Sequence, residues 1–220
     1  MIISHSNKFI YFKPAKVAGS SVEVLLKSYC NDNLDITTGS INGWSHWEEI
    51  KKNNEYYNHM PVIDIKNKLD NISQWKNYIK IGCVRNPWDR VISFWFWKTQ
   101  IAPRGWEKYK SFSFNDWVAT LNKDNIYNIN IKPFHYFYRW DIEKIDYLIK
   151  FETLEQDIRE VLFRLNVHSQ GCCSNKHYTL RTLNQTTHEH YTNYYNNKSI
   201  NKIYQLYKAD IKYLGYSYGS

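Results

Sequence analysis

Two short segments of this chain combine a cation with hydroxyl groups at spacings suited to holding an anion. In Lys13-Pro14-Ala15-Lys16-Val17-Ala18-Gly19-Ser20-Ser21, Lys16 precedes Gly19 and two serines. Backbone N–H groups and the dipole at a helix start attract anions, the hydroxyls of Ser20 and Ser21 add donors, and Gly19 permits close backbone approach. The order is not that of the nucleoside triphosphate loop GxxxxGK(S/T), where Lys directly follows the second Gly and precedes the hydroxyl that holds magnesium. A Lys at the start of the loop would instead reach over the distal end of a bound phosphate chain, and no magnesium site is implied. The second segment runs Cys83-Val84-Arg85-Asn86-Pro87-Trp88-Asp89-Arg90-Val91-Ile92-Ser93. Arg85 offers paired donors in a plane, which suits phosphate, and Ser93 follows about two helical turns into the next element. Taken alone, the first segment also reads as a plain strand-to-helix turn with a solvated lysine.

The elements that must position these residues repeat one pattern. The run Lys8-Phe9-Ile10-Tyr11-Phe12 predicts a strand, and Val22, Leu25, Leu26 and Tyr29 predict the apolar stripe of a helix starting near Gly19. Tyr78 to Val84 predicts a second strand, after which Asn86 caps a helix with Pro87 in its first turn. Tyr147 to Phe151 predicts a third, followed by Thr153-Leu154-Glu155-Gln156, a capping-box pattern, and a helix with Ile158, Val161, Leu162 and Leu165 on one face. Three strand-loop-helix units predict an α/β fold: a P-loop-like parallel sheet flanked by helices in a three-layer α/β/α arrangement. The last helix carries Ile200, Ile203, Tyr204, Tyr207, Ile211 and Leu214, with Gly215 at its expected cap. Residues 31 to 58 and 166 to 190 are polar and irregular, the character of loops that wall binding sites.

The chain of 220 residues fits a single domain spanning 1–220, and its net charge of +8 favours an anionic partner. At 43% hydrophobic and 17% aromatic it is too apolar for disorder. It has no uninterrupted apolar run of the roughly 18 residues needed to span a bilayer. No basic n-region and apolar h-region open the sequence, so nothing in it directs secretion. Cys30, Cys83, Cys172 and Cys173 have neither metal-site nor disulfide spacing, which fits a reducing cytoplasm. His188-x-His190 has no further ligand cluster nearby, so no metal site is expected.

With the two segments in order, the chain resembles the sulfotransferases that use 3′-phosphoadenosine 5′-phosphosulfate, in particular their carbohydrate-type, Golgi-sulfotransferase-like branch. Ala15 to Ser21 is similar to that family's 5′-phosphosulfate loop, written P-K-(T/S)-(A/G)-G-(T/S)-S, and Val84 to Ser93 to its 3′-phosphate segment. Further similarity lies at His59-Met60-Pro61-Val62, Phe151 to Asp157, Tyr194-Tyr195, Tyr207-Lys208-Ala209-Asp210 and Leu214-Gly215-Tyr216. Ala15 stands where Pro is usual, and Val17 replaces a small hydroxyl residue. The resemblance implies a metal-independent enzyme that moves a sulfuryl group from 3′-phosphoadenosine 5′-phosphosulfate to a hydroxyl, by its branch a carbohydrate hydroxyl. Residues Lys16, Val17, Ala18, Gly19, Ser20 and Ser21 would hold the 5′-phosphosulfate, and Arg85 with Ser93 the 3′-phosphate. Lys16 would also stabilise the leaving phosphate, and His59, with His46 second, would take the acceptor proton. Histidine's ordinary pKa of about 6.5 suits that task.

Other residues have plainer readings. Glu152 orients loops or pairs with a lysine rather than reacting, Phe94-Trp95-Phe96-Trp97 packs a core rather than stacking on a sugar, and His188 and His190 lie at the surface. Lys176 and Arg181 close over the donor, meet an anionic acceptor, or are simply solvated. Two competing functions remain at this stage. One is a non-enzymatic nucleic-acid binder, drawn from the charge and aromatics, but its basic residues are scattered. The other is a nucleotide-dependent kinase, but it would need the missing GK(S/T) element.

Overall fold

A computed structural model of the protein describes residues 1–38, 56–101, 106–109, 111–128, 131–138, 144–167, 180, 183 and 186–220. The first stretch of the chain holds β1 (Ile2–Ser4), β2 (Phe9–Tyr11), α1 (Gly19–Lys27) and β3 (Ile36–Thr37). Then come α2 (Val62–Lys68), α3 (Ile72–Asn77), β4 (Ile79–Val84) and α4 (Pro87–Phe96). The chain continues through α5 (Phe114–Thr120), α6 (Lys123–Asn128), α7 (Phe134–Tyr138), β5 (Tyr147–Lys150), α8 (Leu154–Arg164) and α9 (Asn197–Leu214). It forms two compact units, Met1–Val84 with Phe137–Asn184, and Arg85–Tyr136 with Gln185–Ser220.

The first unit contains a five-stranded sheet ordered β3-β1-β2-β4-β5, flanked by helices. The three strands expected from the sequence are parallel: Tyr11 pairs with Ile81, and Val84 with Lys150. The expected α/β sheet is therefore present, and it is extended by antiparallel pairs, with β1 running antiparallel to both β2 and β3. For β1 and β2 the reason is the connection: a turn of a few residues joins only antiparallel neighbours, whereas parallel ones need a crossover. Lys8, in the left-handed region at φ 53°, lies at the end of that turn. In the parallel register the carboxyl ends of β2, β4 and β5 share one edge, the edge at which open α/β sheets bind ligands.

Behind β5, Ile158, Val161, Leu162 and Leu165 of the α8 segment are buried as their spacing requires. The capping box expected at Thr153 does not form. Residues Phe151–Thr153 make a 3-10 turn, and Thr153 Oγ1 donates to Asp157 Oδ2 instead (2.9 Å).

The second unit is helical. Asn86 caps α4 by accepting from the Trp88 amide, and Pro87 fills the first turn. Phe94 and Trp95 are buried against Trp106, Phe114 and Trp117, with the Trp95 and Trp117 ring centroids 5.1 Å apart. Buried aromatics contribute some 150–250 Å² each to a core, so these two rings pack rather than wait for a ligand. Phe96 and Trp97 are only half-buried. Helix α9 is opened by a reciprocal Asn196/Ser199 capping box and closed by Gly215 at φ 72°. Tyr207 interrupts its helical angles, and its hydroxyl donates to the Ile131 carbonyl.

Candidate functional site

The segment after β2 departs from its simplest sequence reading in one respect. Lys16 (φ 65°) and Ala18 (φ 56°) occupy the left-handed region, whereas Gly19 does not. Alternation of this kind turns successive backbone N–H groups toward one concavity. Helix α1 then starts with no side-chain cap and no acidic residue in its first turn, the Ser21 and Val22 amides donate to the Ala18 carbonyl, and the positive end of the helix dipole lies at that start. Gly19 serves packing: a Cβ there would stand 2.8 Å from Lys13 Cγ and 3.4 Å from the Tyr11 hydroxyl. That hydroxyl donates to the Gly19 carbonyl (3.0 Å), and Ser21, 4% exposed, accepts from the Leu183 amide (3.2 Å). Lys16 and Ser20 are partly exposed, and Val17 is buried.

Lys13 is the element of this loop that the sequence reading passed over. Its ammonium is buried and 2.6 Å from Glu23 Oε2 on α1, while Glu23 Oε1 is 2.6 Å from the Met1 amino group. Burial pushes the Glu23 carboxyl up, but the two cations outweigh it and the net shift is downward. A sequence signal existed: Glu23 stands three residues before Leu26 of the apolar stripe, and a carboxylate drawn in beside such a stripe requires a cation.

His59 is partly buried and held at φ 62°, a conformation that costs a non-glycine residue about 1–3 kcal/mol. Its Nδ1 lies 2.8 Å from the Lys13 carbonyl. A carbonyl only accepts, so Nδ1 carries the proton and Nε2 the lone pair. Its pKa does not sit near neutrality as expected from the residue type. Burial, reinforced by the Lys13 charge, pushes it down to about 3. At neutral pH the imidazole is therefore uncharged, with an intrinsically weak basic nitrogen.

In the second unit Arg85 directly follows β4 and is 7% exposed. It forms a fork with Asp89 one turn into α4, Nε to Oδ2 and Nη2 to Oδ1, each 2.8 Å. Asp89 was not singled out from sequence, although an acid four residues after Arg at a helix start is the spacing of such a pair. Ser93 is 5% exposed on the same helix. The Asn86 amide also donates to the Ser217 carbonyl (2.9 Å).

The structure leaves other expectations at the periphery. Glu152 and His190 are exposed, and His188 is partly buried, its ring 5.0 Å from Phe96. His46, Cys172, Cys173, Lys176 and Arg181 lie outside the described residues. Among the described residues no group of three or more His, Cys, Asp or Glu is gathered for a metal, and no helix is long and apolar enough to cross a membrane.

Comparison with curated proteins and with solved structures returned no match. The family model described as "Sulfotransferase family", in contrast, matches residues 1–217, which takes in both segments and nearly the whole chain. Together with an α/β sheet whose first parallel strand feeds an uncapped helix, that match assigns the chain to the sulfotransferase family.

Proposed function

We propose that this sulfotransferase uses 3′-phosphoadenosine 5′-phosphosulfate as donor and a carbohydrate hydroxyl as acceptor, with 1–220 acting as one sulfotransferase domain. The carrying observation is the uncapped, acid-free start of α1, preceded by the two left-handed residues Lys16 and Ala18. That start fits an anionic group, and the donor supplies the sulfuryl that is transferred. Residues Lys16, Val17, Ala18, Gly19, Ser20 and Ser21 hold its 5′ end. Arg85, oriented by Asp89, and Ser93 hold the 3′-phosphate. Lys16 offsets negative charge that grows on the leaving phosphate oxygen, with no metal required. His59 Nε2 receives the acceptor's proton as the hydroxyl oxygen bonds to sulfur in line with the breaking bond. The negative charge of the donor raises the basicity of His59 from its ligand-free value. The reading includes a cytoplasmic location.

The test is direct. Thermal shift with 3′-phosphoadenosine 5′-phosphate, ATP with magnesium, and oligonucleotides should show a large rise for the bisphosphate alone. Turnover with labelled donor across a glycan panel, read by mass, then identifies the acceptor. Arg85→Ala should weaken bisphosphate binding strongly, while Lys16→Ala should lower kcat more than affinity. Equal small losses would refute the division of roles. Activity lost in EDTA and restored by magnesium would refute the metal-independent reading.

A further inference from the structure

The loop after β2 contains two lysines in opposite situations. Lys13 is 4% exposed with its ammonium against Glu23, whereas Lys16 is partly exposed. The Lys13 stem lies over Gly19, and its carbonyl receives the His59 Nδ1 proton. One residue thus touches the start of α1, the acid on that helix, and the histidine. We propose that Lys13 is a positioning residue for sulfuryl transfer: its carbonyl fixes the His59 tautomer, and its ammonium, committed to Glu23, braces the loop that presents Lys16. This inference rests on the reading of His59 as base and of the loop as the donor site.

The division follows from geometry. A backbone carbonyl at 2.8 Å leaves Nε2 as the basic atom, whatever the side chain at position 13. The Lys13 charge acts separately, by opposing protonation of the ring. The charged groups facing His59 are Lys13, the Met1 amino group and Glu23, of which the first two disfavour the imidazolium and the third favours it. Burial disfavours it most.

The experiment compares Lys13→Met and Lys13→Arg with the parent chain. In the ligand-free protein, nitrogen-detected NMR should show His59 protonated at Nδ1 in all three. The His59 titration midpoint should rise by about one pH unit in Lys13→Met and stay at the parental value in Lys13→Arg. Bisphosphate affinity should remain within about threefold throughout, while kcat falls about tenfold in Lys13→Met and recovers in Lys13→Arg. A residue that only supports the fold would lower the folded fraction without moving the midpoint. Should Lys13→Met fail to fold, the neutral pair Lys13→Met with Glu23→Gln replaces it, and a smaller rise in the midpoint is expected. A proton on Nε2 instead of Nδ1, an unmoved midpoint in a folded neutral variant, or a hundredfold loss of bisphosphate affinity would each overturn the proposal. Because the NMR measurement needs neither donor nor acceptor, a parent chain inert toward the proposed substrates would defeat the functional reading separately.

Discussion

Replacing Gly19 with Ala separates the packing role of this glycine from the anion-approach role that its place in the sequence implies. A Cβ there would lie 2.8 Å from Lys13 Cγ, against the roughly 3.5–4.0 Å preferred between carbons, so about 1 Å must be found. Lys13 cannot swing away cheaply, because its ammonium is held 2.6 Å from Glu23 in a buried pair. Overpacking of this kind costs about 1–3 kcal/mol, and the better helix propensity of Ala returns at most about 1 kcal/mol. A net loss of about 1–2 kcal/mol lowers the melting temperature of a chain this size by about 2–8 °C. Calorimetric melting of Gly19→Ala beside the parent, paired with titration of 3′-phosphoadenosine 5′-phosphate, measures both roles. An unchanged melting temperature with bisphosphate binding abolished would refute the packing argument and return the glycine to the anion.

His59 has a folded pKa of about 3 against about 6.5 unfolded, so the unfolded chain binds more protons between those values and stability falls as pH drops through that window. From pH 7 to 5 this group removes about 2 kcal/mol, and urea unfolding of His59→Asn should lack that part of the loss; an identical pH dependence in the two proteins would contradict the buried neutral ring. Burial pushes the Cys30 and Cys83 thiols up to about 12, so iodoacetamide at pH 8 should leave both unmodified until denaturant is added, as read by peptide mass spectrometry. A Cβ on Gly82 would stand 2.5 Å from the Tyr138 hydroxyl, which donates to the Cys83 carbonyl. Gly82→Ala should therefore lower the melting temperature by several degrees, and Tyr138→Phe in the same chain should recover part of the loss.

Local pattern and local chemistry were legible in the amino-acid order. The three parallel strands, the Asn86 cap, the Pro87 first turn, the α9 stripe and the Gly215 stop all follow from neighbours within a few residues, because propensity, periodicity and capping act over that distance. The family, too, was legible, because Lys16-to-Ser21 and Arg85-to-Ser93 preserve spacing along the chain. Strand β1 escaped notice because a run of three residues has no usable periodicity and exists only through its partners β2 and β3. The Lys13–Glu23 pair joins residues ten apart, and the contact of His59 with the Lys13 carbonyl joins residues 46 apart. Neither the His59 tautomer nor its depressed pKa is a property of histidine; the Lys13 carbonyl sets the first, burial and neighbouring charge set the second, and both exist only once the chain has folded. Which glycine relieves a clash and which residues adopt left-handed angles were likewise decided by tertiary packing. The loop's three-dimensional closure, rather than its composition, places Gly19 against a lysine stem and bends the backbone at Lys16 and Ala18.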